Sequence, residues 1–402
     1  MTMNIKQKSA VGRRIGQAGV SLIELMIALL IAGLISLGLV QIFGASSATS
    51  QMTEGLSRVQ ENGRFASQFL QRQLRMVGFM GCGSDAGRTV QHSFVNHLTR
   101  FDGTVPGGNK YRFQRPIEAY TAGVGTAPAE LAGEAIVDGT DVLILRVLSE
   151  ESTTVVSVTK SANDLTLLIG TPGAAFLPEP NKKVLFGLQN CRSADIFAAT
   201  LSGTTPGSTI TVGGATSPNV YLDPSVDTCG AAPCPWDFRI SNAALNAKPL
   251  VGPSSLNAEV HRAEYLALFI KKNAGGIRSL YLMRFKRGDV VLDAAEEFIE
   301  GVENMQVRFG VDTDATSDAA INEYRTAAQV IAGATNEAAI DDRWRQVLSA
   351  RVGLLIRSPG RAGAPDRTYK ILDVDYTPAD NDGAIREVYE TTVALRNRLF
   401  NS

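Results

Sequence analysis

Gly19-Val20-Ser21-Leu22-Ile23-Glu24-Leu25, continuing as Met-Ile-Ala-Leu-Leu-Ile-Ala-Gly-Leu-Ile-Ser-Leu-Gly-Leu-Val to Val40, decides how this chain is read. From Leu25 to Val40 there is no charge. With Val20 to Ile23 before it and Ile42 and Phe43 after it, the apolar run approaches the length needed to cross a bilayer. Lys6, Lys8, Arg13 and Arg14 precede it with no acid among residues 1–19. A cytoplasmic N-terminal arm is therefore predicted, with everything after residue 45 on the far side of the membrane. The run is too long for an ordinary secretory signal, and no small-residue cleavage site follows it. Ile-Gly-Gln after Arg13-Arg14 does not suit twin-arginine export. Glu24 is the anomaly, because an ionised carboxylate at mid-bilayer depth costs about 2.5 to 3.5 kcal/mol and calls for a cationic partner.

The helical pattern continues past the membrane-length run. No proline occurs before Pro106, and Met52, Leu56, Val59, Gly63, Ala66, Leu70, Leu74 and Val77 recur at steps of three and four. One helix over residues 20–77 is predicted. Its first half would insert into membrane or filament, and its second half would lay an apolar stripe against a head.

After Cys82 the periodicity turns strand-like. Val142–Leu148, Thr154–Thr159, Leu165–Ile169, Lys183–Leu188, Val347–Ile356, Tyr369–Val374 and Glu387–Leu395 read as strands. Glu264–Ile270 and Arg278–Phe285 flank Asn273-Ala274-Gly275-Gly276 as a hairpin. Residues 203–218 and 246–255 read as loops, and 313–343 as loop plus short helix. The fold class is α+β: a long N-terminal helix packed on an antiparallel sheet, with insertions.

Composition narrows the chemistry. The net charge of -1 includes +4 from residues 1–19, leaving about -5 for the remainder, which gives no general attraction to nucleic acid. Cys82, Cys191, Cys229 and Cys234 lack zinc spacing and suit an exported, oxidised domain. Cys229 and Cys234 enclose only Gly-Ala-Ala-Pro and are expected to pair, leaving Cys82 for Cys191, although three pairings are formally possible. There is no HExxH, no nucleophile elbow and no phosphate loop, so no enzyme is expected. Ser157-Val158-Thr159-Lys160 lies in a strand-like alternation without its companion motifs. Gly123-x-Gly125 reads as a turn, and His92 and His97 as surface residues. One metal reading remains: Asp312, Asp314, Thr316 and Asp318 alternate as hard oxygen ligands do in calcium loops, with Glu323 at the twelfth position but no turn glycine. The alternative is a solvated acidic loop.

Gly19 to Leu25 closely resembles the prepilin signature. In that family a prepilin peptidase cuts after the glycine, the new N-terminus is methylated and stays cationic, and the glutamate is the fifth residue of the mature chain. The resemblance implies a leader over 1–19, processing at Gly19 and Val20, and an assembly role for Glu24, whose carboxylate would meet the Val20 ammonium of a neighbouring subunit. Val20 stands where the family usually has phenylalanine, and the helix lacks the proline common in major pilins.

Within that class, Cys82, Asn190 to Phe197, Gly301 to Val307, Gly310 to Asp314, Leu354 to Ser358 and Leu395 to Arg398 look like the PilW family of minor pilins. The head would then be residues 78–402. What this implies is a minor pilin in the tip or initiation complex, supporting pilus biogenesis and twitching motility. Its partners would be other minor pilins, the major pilin and a large PilY1-like tip protein. It would be held in the inner membrane with its head in the periplasm, and afterwards carried in the fibre. The competing readings are a minor pseudopilin of type II secretion and a tip adhesin or DNA-uptake component. Tyr281 to Arg287, the clearest aromatic and basic run, is better explained as an alternating strand.

Overall fold

A computed structural model of the chain describes residues 19, 21–80, 83–84, 93–98, 108–124, 127–160, 164–171, 183–190, 193–203, 208–213, 258–286, 289–313, 320–365, 367–378 and 382–398. Helix α1 runs unbroken over Leu22–Met76. It contains an apolar window of mean hydropathy 2.5, long enough by composition to cross a membrane. The chain divides into two units, residues 1–54 and 55–402. In the first, the apolar side chains from Leu22 to Phe43 are all exposed. In the second, Gly55, Val59, Gly63, Ala66, Leu70 and Leu74 form the buried stripe of the helix. Burial of each large side chain there contributes about 1.5 to 3 kcal/mol. Met52, expected on the stripe, is exposed.

The strands in chain order are β1 (Phe79–Met80), β2 (Gly83–Ser84), β3 (Ser93–Asn96), β4 (Ile117–Thr121), β5 (Asp141–Lys160), β6 (Asp164–Ile169), β7 (Lys183–Asn190), β8 (Ser193–Ser202), β9 (Thr209–Gly213), β10 (Glu259–Lys272), β11 (Arg278–Arg284), β12 (Glu296–Glu300), β13 (Val302–Val311), β14 (Glu323–Arg325), β15 (Val347–Arg357), β16 (Tyr369–Ile371), β17 (Val374–Tyr376) and β18 (Arg386–Ala394). A four-stranded antiparallel sheet has the order β14-β13-β15-β18. The larger sheet is ordered β12-β11-β10-β7-β8-β9-β6-β5-β4, and β10 also pairs β5. That extra pairing closes β5, β6, β9, β8, β7 and β10 into an antiparallel ring. The ring has an apolar interior: Phe186, Leu188, Phe197, Leu201, Ile210 and Leu167 belong to one buried cluster. They alternate with residues of opposite facing along each strand, as a small filled barrel requires.

A second cluster joins the buried stripe of α1 to both sheets. Val59, Leu70 and Leu74 share it with Leu145, Leu268 and Leu280 of the larger sheet and with Met305, Val352 and Leu354 of the smaller one. Edge strand β12 reaches this core through a bulge: Tyr281 pairs Glu297 and Leu280 pairs Ile299, so Phe298 is the extra residue. The bulge lets Phe298 and Ile299, although consecutive, both turn inward. The Phe298 ring sits 4.5 Å from Phe69 of α1.

The α+β expectation is met, with local differences. Val142–Leu148 and Thr154–Thr159 are parts of one strand, β5. Tyr369–Val374 is instead a hairpin, β16 with β17. β9 lies inside the stretch read as a loop over 203–218. The hairpin at Asn273 forms as expected, because Asn273 Oδ1 accepts from the Gly275 and Ile277 amides at 3.0 Å and Gly276 takes a positive φ of 77°. In the 313–343 stretch are β14 and short helices at Ala327–Val330 and Glu337–Arg345.

Candidate assembly site

The first turn of α1 is built by Ser21. Its Oγ accepts from the Glu24 amide at 3.2 Å, and its carbonyl accepts from the Leu25 amide at 3.1 Å. Ser21 is thus the N-cap and Glu24 the third residue of the helix, where an acid faces the positive end of the helix dipole. Gly19 precedes the cap and is exposed, as is Glu24. Val20 lies outside the described residues. The sequence therefore places the carboxylate within one turn of the bond after Gly19, at the end of a helix whose apolar side chains have no cover in this chain.

Cys82, Cys191, Cys229 and Cys234 lie outside the described residues, so their pairing is not read from the structure. Their surroundings are partly visible. Cys82 falls between β1 and β2, and Cys191 falls between β7 and β8, which pair from Asn190 with Ser193 onward. Phe79 and Ala194, on the flanks of the two positions, pack in one cluster. Of the acidic loop, Asp314, Thr316 and Asp318 also lie outside the described residues. Asp312 is half-buried after β13, and Glu323 is engaged by Arg325 at 2.9 Å. His92 is not described. His97 corrects the expectation of a surface residue, because it is 0% exposed and its Nε2 lies 3.0 Å from Asp195 Oδ1. Asp195 is paired in register with Leu188, so it faces the barrel interior.

A buried ionic network was not legible in the sequence. Arg146 on β5 is fully buried and donates to Glu118 of β4, to the Arg115 carbonyl and to the Asn109 carbonyl. Arg115 bonds Glu118 and Asp341 at 2.8 Å, and Arg112 reaches Asp341 at 3.3 Å. Asp341 sits on the helix leading into β15, so the network fastens the larger sheet to the connection of the smaller one. Burial alone would raise the Glu118 carboxyl, but Arg146 and Arg115 hold it below the ordinary range. Glu130, close by, makes no hydrogen bond to another described residue, and burial raises its pKa.

Residues 14–40 match the prokaryotic N-terminal methylation motif, and residues 267–397 match the family of Type IV Pilus-assembly protein W. Over those 131 of its 402 residues the chain is similar to the PilW family of type IV pilus-assembly proteins. The methylation-motif match covers Gly19, the capping Ser21 and Glu24. The PilW match runs from within β10 through β18 and so takes in the whole four-stranded sheet. Blocks Gly301 to Val307, Leu354 to Ser358 and Leu395 to Asn397 fall within it, whereas Cys82 and Cys191 do not. Neither matched region is a catalytic domain. Comparisons with curated proteins and with solved structures give no match.

Proposed function

We propose that this protein is a minor pilin, held in the inner membrane by α1 until it joins a pilus, where it acts at the tip during initiation. The observation that carries the reading is the pairing of a capped first turn, with Glu24 at its third position, and an apolar segment left wholly exposed from Leu22 to Phe43. Such a helix is a docking element, because its side chains gain burial only from lipid or from other helices. The Glu24 carboxylate supplies a low-dielectric partner for the ammonium that processing creates on a neighbouring subunit. A tip position is supported by head size. A head of 325 residues has a radius of gyration of about 20 Å by compact scaling, and repeating it along a shaft would crowd neighbours. At the tip no subunit lies above it, and a PilY1-like protein is the expected occupant of that end.

The test uses a deletion strain with retraction disabled, together with fluorescently labelled copies in wild type. A loss of pilus number with label confined to fibre ends is expected. Label spread along the shaft with undiminished pili would refute the initiating role, and loss of enzyme secretion in place of pili would move the protein to type II secretion.

A further inference from the structure

In the larger sheet Glu118 and Tyr120 of β4 pair with Ile144 and Val142 of β5, and Arg146 of β5 pairs with Tyr265 of β10. Side chains alternate across a strand, so these six share one face. Ile117, Ala119, Leu143, Leu145 and Leu266 point the other way, into the core that holds the stripe of α1. The first face is covered by the single 3-10 turn Ala129–Leu131. Its Leu131 joins Val142, Ile144 and Tyr265 in a buried apolar cluster, and Tyr120 packs against it.

Four polar groups end in this apolar setting with bonding capacity unused. Arg146 directs Nη1 at the Arg115 carbonyl and Nη2 at the Asn109 carbonyl and Glu118, which leaves its Nε–H buried and unpaired. The Tyr120 and Tyr265 hydroxyls are also buried without a partner, and the Glu130 carboxylate makes no hydrogen bond to another described residue. Arg146 and Tyr265 are both 0% exposed. A donor or acceptor buried in this way is costly until a partner arrives.

The four groups are neighbours. The Arg146 guanidinium carbon lies 5.6 Å from the centre of the Tyr265 ring. Asn109, whose carbonyl accepts from Arg146 at 2.7 Å, follows Gly108, where a β-carbon would stand 3.9 Å from Glu130 Oε2. Burial raises the pKa of both phenols and the Glu130 charge adds to the rise in each, so the carboxylate is within electrostatic reach of the two hydroxyls.

The mixture of groups selects the ligand. A cation would meet the Arg146 guanidinium, and an anion would meet Glu130 beside Glu118. Among the described residues no three His, Cys, Asp or Glu side chains are grouped to hold a metal ion. What suits the site is a neutral molecule that both donates and accepts. Water can accept from the Nε–H and one hydroxyl while donating to the carboxylate and the other hydroxyl, and buried polar groups are commonly bridged in this way.

We propose that Glu130, Tyr120, Tyr265 and Arg146 enclose an internal site for ordered water, which bridges the Ala129–Leu131 turn to β4, β5 and β10. The test is X-ray radiolytic labelling of the full-length protein in detergent, read by peptide mass spectrometry. Radicals formed from a bound water hydroxylate the ring beside it even where bulk solvent does not reach. After correction for intrinsic reactivity, Tyr265 is expected to be labelled several-fold faster than Phe269, which is equally buried in the same cluster. It should also outpace Tyr111, which is 5% exposed and whose hydroxyl donates to the Val290 carbonyl at 2.7 Å. A Tyr265 rate no higher than that of Phe269 would overturn the proposal. Tyr265→Phe gives a second, independent sign. Removing a hydroxyl bonded to water should lower the melting temperature, by about 2 °C, whereas removing a dry one relieves an unmet polar group and raises it. A rise would therefore also sink the site.

Discussion

Gly63 of α1 packs on the hydroxyl end of the Tyr389 ring in β18, so closely that a β-carbon at position 63 would overlap three ring carbons. The helix can approach the smaller sheet at this height only because position 63 has no side chain. Tyr389 is held at the same end, where its hydroxyl donates to Glu387 at 2.8 Å.

Gly63→Ala is therefore expected to destabilise the head, although alanine is the better helix former. Overpacking costs about 1 to 3 kcal/mol and the propensity gain returns about 1, leaving a net loss of up to ~2 kcal/mol. Urea unfolding should show this loss, with partial recovery in Gly63→Ala/Tyr389→Leu. Gly38→Ala, where nothing stands within 4 Å, should leave the midpoint of the head unchanged.

Arg146→Met should be among the most damaging single changes. It leaves the buried Glu118 carboxylate with only one of its two guanidinium partners, Arg115, and breaking a buried pair costs up to about 3 to 5 kcal/mol. Adding Glu118→Leu removes the under-compensated carboxylate, so the double variant is expected to be less destabilised than the sum of the singles. Additive losses in thermal unfolding would show that the two side chains do not depend on each other.

The pH dependence should carry a signature of Glu130. Burial comes first in raising its pKa and the Glu118 charge adds to the rise, while its own backbone amide, Arg146 and Lys110 oppose it. Because the folded pKa lies above the ordinary value of 4.5, the folded state binds the proton more tightly than the unfolded state. This group therefore favours folding at acid pH, and that contribution fades as pH rises from about 4.5 through the folded pKa. Tyr120 and Tyr265, whose hydroxyls are buried without partners, also face this group and stay neutral through that range, both with raised pKa values. Glu130→Gln should raise the melting temperature at pH 7 to 8 and flatten its decline above pH 5. An unchanged pH profile would exclude Glu130 as the source.

Processing after Gly19 and docking through Glu24 make a separable pair of expectations. Intact mass should place the mature N-terminus at a methylated Val20. Glu24→Ala should leave the protein made and inserted, since losing the charge suits the bilayer, yet lower its recovery in sheared pili. Normal recovery would mean the carboxylate is not used in docking.

Cys82 and Cys191 are expected to form a disulfide, with Cys229 joined to Cys234. Phe79 packs against the buried cluster that contains Ala194, which supports the first pairing. A bridge closing a loop of this length stabilises by about 4 to 5 kcal/mol in the loop-entropy description. Non-reducing peptide mapping of envelope-derived protein checks it, and four free thiols would rule it out.

The sequence by itself determined the parts of this protein whose physics is local. An uncharged run after a basic arm, Ser21 three residues before Glu24, and apolar residues spaced at three and four from Val59 to Leu74 specify a membrane-length helix, its cap and its buried stripe. Asn273 with Gly276 specified a hairpin for the same reason, because its hydrogen bonds span only four residues. Only the tertiary structure decided the rest. The barrel closes through the pairing of β10 with β5, strands about 110 residues apart, and no local pattern selects that partner. Arg146, Arg115, Glu118 and Asp341 look like ordinary surface charges until the fold removes their water and pairs Glu118 with Arg146 and Arg115 and Asp341 with Arg115.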